Sequence, residues 1–201
     1  MIGIYDYTVI LTYGNAMFSI VGMYLALTQH VVEAIFCLML SGICDMFDGF
    51  VANLKERTKN EMCYGIQIDS LADLISFGVF PTVIGYASGL TQGIYFPLFV
   101  FYILAALIRL AHYNVTEMER KECTEGCREY YEGLPVTSSA ILIPLLFFIA
   151  GRFNIAITLV YPAVLLMIGL LFISKVKIKK IDPRKLAIGA FLGAVVAFFV
   201  R

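Results

Sequence analysis

Charge is what this sequence has least of for its length. Only 15% of its 201 residues are Asp, Glu, Lys or Arg, against 60% hydrophobic, and mean hydropathy is +0.85. A water-soluble domain of that size needs a polar exterior that so few charges cannot supply. Net charge is zero, which removes the electrostatic case for nucleic acid as a partner. No basic region precedes the first apolar run, so no cleavable signal sequence is expected. Low-complexity tracts and internal repeats are missing too. Of the five cysteines, Cys123 and Cys127 are spaced i, i+4, yet no further His or Cys stands nearby to complete a zinc site. Reduced, structurally incidental thiols are the expectation.

What is abundant is long apolar sequence. Hydrophobic stretches cover 8–28, 31–53, 66–87, 94–116, 135–151, 153–174 and 184–200. A spanning helix needs about 20 mostly apolar residues, and the last stretch is the shortest fit. Backbone groups in lipid must find partners within their own segment, and sheets have no support here. The expected fold class is all-α: a polytopic membrane helical bundle of six to seven transmembrane helices, forming a single domain over 1–201. The polar stretch Glu117–Glu132 reads as a loop or an extension of the fourth helix.

Basic residues orient the bundle. Lys55, Arg57 and Lys59 follow the second stretch. Arg120, Lys121 and Arg128 follow the fourth. Lys175, Lys177, Lys179, Lys180, Arg184 and Lys185 follow the sixth. The alternate connections offer only Arg152. The positive-inside bias therefore predicts a cytoplasmic N-terminus and cytoplasmic loops after the even-numbered helices.

Four aspartates stand out against this background, as Asp45 and Asp48 in "CDMFDG" and Asp69 and Asp73 in "IDSLAD". Residues three or four apart share a helix face, so each pair points one way. A short loop joins the two segments, which makes them antiparallel neighbours. Asp45 then falls level with Asp73, and Asp48 with Asp69. Four carboxylates converging in an apolar setting repel one another and are costly to bury. Protonation is one remedy; divalent cations are the more natural one, and oxygen-only sites suit Mg²⁺ or Mn²⁺, with Ca²⁺ also compatible. Two such ions would suit a pyrophosphate substrate and displacement at phosphorus. Gly49, Ala52 and Gly65 flank the carboxylates, and small residues admit a ligand or a second backbone.

The pattern D-x2-D-G-x2-A from Asp45, followed by G-x3-D-x3-D ending at Asp73, resembles the signature of the CDP-alcohol phosphatidyltransferases. These are integral membrane enzymes that transfer a phosphatidyl group from CDP-diacylglycerol to an alcohol and release CMP. The resemblance implies two divalent metals on Asp45, Asp48, Asp69 and Asp73, with Asp73 also the general base. "LTYGN" at Leu11–Asn15 is similar to the element that holds the cytidine, which implies CDP-lipid contacts at Thr12, Asn15, Gly49, Ala52 and Gly65. The family's Arg after that Ala is Asn53 here, and the spacer "LKERTKNEMCY" is longer than usual. Arg57, or Lys55, is the candidate replacement cation. "DSLADLISFGVFP", "RLAHYN" and "GLPVT" look like the family's serine-accepting branch. His112 stands where that branch commonly has Arg and reads as a polar helix-end residue.

Arg109 is the only Arg or Lys inside the fourth stretch, near its cytoplasmic end; intramembrane arginines default to a functional role, here as an anion ligand for the serine carboxylate or a substrate phosphate. With Asn114 and Thr137 it forms the expected acceptor pocket, for L-serine. CDP-activated ether lipid as donor, or glycerol phosphate or an inositol phosphate as acceptor, would keep the same chemistry. A divalent-cation transporter is the competing class, although transport sites favour the midplane between inverted repeats. The resemblance further implies a homodimer in the cell membrane, its active site facing the cytoplasm.

Overall fold

The computed structural model describes residues 9–52, 58–123, 130–175 and 177–179. Asn53, Lys55 and Arg57, the side chain of Ala52 and the stretch 184–200 lie outside the described residues. Helix α1 (Ile10–Leu27) and α2 (Val31–Ala52) form an antiparallel hairpin across a tight turn in which Gln29 takes φ 68°. Next comes α3 (Lys59–Asp73), a π-helical stretch (Leu74–Val79) and α4 (Phe80–Ala87), one continuous rod. A 3-10 turn (Gly93–Tyr95) leads into α5 (Phe96–Cys123). A second one (Val136–Ser138) leads into α6 (Ser139–Arg152), and α7 (Ile157–Ile173) follows.

Helix α1 shows why this is a membrane fold. Its buried residues are Thr12, Asn15, Ser19, Gly22 and Ala26, all polar or small. Ile10, Met17, Ile20, Val21 and Tyr24 are exposed. A soluble helix has the reverse arrangement. Here the apolar face suits lipid, and the small, polar face lets neighbours close in. A Cβ on Gly22 would lie 2.7 Å from that of Cys37 and 2.3 Å from the Phe80 ring, so the α1–α2–α4 contact requires glycine there.

Among the described residues, four helical segments are long and apolar enough to cross a membrane: Ile10–Leu27, Val31–Val51, Lys59–Ala87 and Gly93–Thr116. Val136–Arg152 and Ile157–Ile173 are shorter apolar helices. The third segment starts at Lys59, earlier than the expected 66, because Thr58 and Glu61 form a capping box. The Glu61 backbone N–H donates to Thr58 Oγ1, and the Thr58 N–H to Glu61 Oε2 at 2.8 Å, so the orphan donors of the first turn are satisfied. The polar stretch after the fourth helix is divided: α5 continues to Cys123, while Tyr130–Glu132 forms a strand, β1.

That strand departs from the expectation of helix alone. It pairs antiparallel with β2 (Lys177–Lys179), with Tyr131 opposite Ile178. These two polar segments, one before α6 and one after α7, belong to no apolar helix and satisfy their backbones by pairing with each other. Apart from this pair, the regular secondary structure among the described residues is helical.

The π-helical stretch has a local cause. Pro81 has no N–H to offer the Phe77 carbonyl one turn back. The hydroxyl of Tyr102, from α5, donates to that carbonyl at 3.2 Å, and Tyr161 of α7 donates to the Pro81 carbonyl at 2.7 Å. Both tyrosines are wholly buried. Tyr102→Phe should therefore destabilise the detergent-purified protein by about 1–2 kcal/mol, seen as a lower melting temperature. An unchanged melting temperature would mean the carbonyl is satisfied without it.

Candidate active site and metal centre

The α2–α3 hairpin brings the aspartates together. Oxygens of Asp45, Asp48 and Asp69 lie within 4.8 Å of one another. Asp73 completes the group: its carboxyl is within hydrogen-bonding reach of Asp45, and that of Asp48 within reach of Asp69. Asp45, Asp48 and Asp69 are half-buried, whereas Asp73 is buried at the floor. The levels follow from helix geometry, since antiparallel neighbours keep residues at equal distance from the connecting loop side by side.

Two further elements supply three donors to this cluster. Thr137, from the 3-10 turn before α6, donates to Asp45 Oδ2 at 2.7 Å. Thr12 of α1 donates to Asp48 Oδ2 at 3.4 Å, and Asn15 Nδ2 to Asp73 Oδ1 at 3.1 Å. One oxygen has no such help. Asp69 Oδ1 is buried and lacks a hydrogen-bond partner among the described residues. A buried, unpartnered carboxylate oxygen facing other carboxylates is what a hard-cation site leaves exposed for its ion. The donor set, oxygen only, fits Mg²⁺, Mn²⁺ or Ca²⁺.

Room for a ligand is present beside the carboxylates. A Cβ built on Gly49 meets nothing within 4 Å, and Gly65 sits half-buried one turn before Asp69. At the α1–α3 contact the hydroxyls of Tyr13 and Tyr64 meet at 3.1 Å.

Of the residues expected for the acceptor, Thr137 touches Asp45 directly, while Asn114 and Arg109 lie on α5. Asn114 accepts a 2.8 Å hydrogen bond from Ser70, the neighbour of Asp69. Arg109 is buried on α5, its guanidinium 5.7 Å from the Tyr113 ring centroid. Gly133 packs against it with φ +76°. A Cβ on Gly133 would lie 2.9 Å from the Phe172 carbonyl oxygen, 3.0 Å from that of Ser174 and 3.4 Å from Arg109 Nε. The neighbouring Leu134 N–H donates to the Leu171 carbonyl at 3.1 Å. This tie to the end of α7 sets where Thr137 emerges, three residues on. Gly133→Ala is thus expected to cost about 1–3 kcal/mol through backbone strain alone and to displace Thr137 from Asp45. Thermal unfolding together with turnover of the variant checks this; wild-type values for both would show that the turn tolerates a side chain.

Sequence reasoning missed Ser19, Ser41 and Ser70. Each sits on the buried or half-buried face of its helix, and Ser70 directly follows a carboxylate; only that helical phase pointed to them.

Apolar helices gathered around a cluster of carboxylates, with the oxygen donors that a hard cation takes, define a class of integral membrane protein built around acidic chemistry. A family model described as CDP-alcohol phosphatidyltransferase matches residues 8–200, and the chain belongs to that family. Among its relatives is the CDP-diacylglycerol–serine O-phosphatidyltransferase of Saccharomyces cerevisiae, 36% identical over 143 residues, 69% of this chain and 51% of the yeast protein. The Helicobacter pylori protein of the same name is 26% identical over 180 residues, 87% of this chain and 72% of that one. An archaetidylserine synthase of Methanothermobacter thermautotrophicus is 25% identical over 170 residues, 84% of this chain and 67% of that one. The chain thus spans about half the length of its yeast relative.

Proposed function

We propose that this protein transfers the phosphatidyl group of CDP-diacylglycerol to L-serine, giving phosphatidylserine and CMP. The observation that carries the proposal is the meeting of four carboxylates from adjoining helices in a chain of this family. Serine as acceptor is supported by the similarity to two CDP-diacylglycerol–serine O-phosphatidyltransferases.

The serine hydroxyl is a poor nucleophile at neutral pH and needs a positioned base. In this reading its oxygen attacks the phosphorus that carries the diacylglycerol. The hydroxyl proton passes to Asp73, the bond from that phosphorus to the CMP phosphate breaks, and its electron pair leaves with CMP. Two divalent cations held by Asp45, Asp48, Asp69 and Asp73 would neutralise the pyrophosphate and the departing CMP. Thr12, Gly49 and Gly65 would serve the CDP side, and Ala52, Asn53 and Arg57 are assigned to it from the sequence pattern alone, with Arg57, or Lys55, in place of the family's missing arginine. Arg109, Asn114 and Thr137 serve the acceptor side, Arg109 facing the serine carboxylate. Positioning and charge neutralisation carry most of the acceleration.

The acyl chains remain in the bilayer while the CDP head enters from the cytoplasmic side, consistent with the distribution of Lys and Arg. The protein is read as a multi-pass homodimer of the cell membrane, one domain per chain. An ether-linked donor is a second reading, favoured by the similarity to an archaetidylserine synthase. Tail chemistry meets only apolar surface, so both donors fit the same headgroup site. A phosphorylated acceptor would need more cations than Arg109 provides.

Purified protein incubated with Mn²⁺ or Mg²⁺, labelled serine and either CDP-diacylglycerol or its ether analogue tests the proposal. Metal-dependent CMP and labelled lipid are expected. Transmembrane ion flux without turnover would favour a cation transporter and overturn it.

A further inference from the structure

Ser19 and Ser41 carry no role in the reading so far, yet they join a wholly buried polar chain that ends on Asp73. Ser19 Oγ lies 2.6 Å from Ser41 Oγ. Ser41 Oγ contacts both oxygens of Asn15, the backbone carbonyl at 2.8 Å and the side-chain Oδ1. Asn15 Nδ2 donates to Asp73 Oδ1. Ser19, Ser41 and Asn15 are each 0% exposed.

The direction of this chain is set by its ends. A carboxylate can only accept, so Asn15 must present Nδ2 to Asp73. Its Oδ1 then faces Ser41, whose hydroxyl is the donor. An amide can turn over freely unless its neighbours distinguish O from N. The Asp73 carboxylate makes that distinction, the Ser41 hydroxyl completes the chain by donating to Oδ1, and Ser19 can donate in turn to Ser41. Without the Ser41 hydroxyl, Asn15 Oδ1 is a buried acceptor lacking its donor, and the amide that holds the Asp73 carboxylate loses its own support.

We propose that Ser41 is a positioning residue that acts through Asn15 to fix the orientation of Asp73, a role that rests on the assignment of Asp73 as general base. Asn15 then serves the reacting carboxylate and not the nucleotide. Loss of the Ser41 hydroxyl should lower kcat and leave KM for both substrates unchanged.

The test compares Ser41→Ala with Ser41→Thr and Ser41→Val, whose side chains match in size and differ in the hydroxyl. Expected values are a roughly tenfold lower kcat for Ala and Val, and a kcat for Thr about tenfold above that of Val. KM for CDP-lipid and for serine should stay within about twofold of wild type, and the melting temperatures of Thr and Val should agree. Equal kcat for Thr and Val would overturn the proposal, as would a loss that appears in KM for the CDP-lipid. Ser41→Ala with wild-type kcat would also overturn it. Asp73→Asn, assayed alongside, separates the two levels: an active Asp73→Asn removes the base assignment itself, whereas an inactive one beside equal Thr and Val rates removes only the role of Ser41.

Discussion

Asp73→Asn protein, folded and loaded with metal and both substrates, is expected to release CMP at least about a thousandfold more slowly than wild type. A positioned general base is worth roughly 10²–10⁴ in rate, and the substitution also takes one carboxylate from the cation site. Asparagine keeps the shape and can still meet the Asn15 amide through its own oxygen. A large structural effect is therefore not expected, and the melting temperature should stay close to wild type. Preserved CMP release would remove Asp73 from the chemistry. Loss of activity matched by loss of folded protein would shift the explanation to packing around the floor of the site, where Asp73 is buried.

Asp69→Asn has the second large effect, and it has opposite signs with and without metal. Asp69 Oδ1 is buried with no hydrogen-bond partner among the described residues, close to the oxygens of Asp45 and Asp48. In chelator, removing one of four neighbouring carboxylates relieves repulsion, so the variant should melt above wild type. With Mn²⁺ present the order reverses. Wild type is stabilised by the ion in proportion to its affinity, while the variant gains little and turns over at least about a hundredfold more slowly. Thermal unfolding across a Mn²⁺ titration reads both signs. A variant that melts lower in chelator and binds Mn²⁺ as wild type does would exclude Asp69 from the cation site. Functional sites often hold such unfavourable groupings at a cost in stability.

The pairing of these carboxylates was legible in the sequence because it depends on two regularities only. Helix periodicity puts Asp45 with Asp48 and Asp69 with Asp73, and a short connection makes the helices antiparallel. Levels across the hairpin then follow without knowledge of the exact ends, which is fortunate, since α3 begins at Lys59 and not near 66. The membrane class was legible for a similar reason: it follows from composition and run length.

What was not legible depends on side chains that meet across elements distant in sequence. Thr137 reaches Asp45 from the turn before α6, and no local pattern specifies that approach. Ser41 looks like any small residue of an apolar helix; its place beside Asn15 depends on the rotation of α1 against α2. The π-helical stretch after Asp73 had a visible signal in Pro81, but the Tyr102 hydroxyl that satisfies the Phe77 carbonyl comes from α5. The β1–β2 pair was missed because three-residue strands in polar connections carry no periodicity long enough to read.

The central claim is that carboxylates from α2 and α3 jointly hold the cations that grip a CDP-lipid. Anomalous scattering from crystals grown with Mn²⁺ and CDP-diacylglycerol tests it most directly. The account predicts two Mn²⁺ peaks enclosed by Asp45, Asp48, Asp69 and Asp73, with the pyrophosphate of the lipid against them. Mn²⁺ at other residues, or a CDP headgroup bound away from these four side chains, would contradict it.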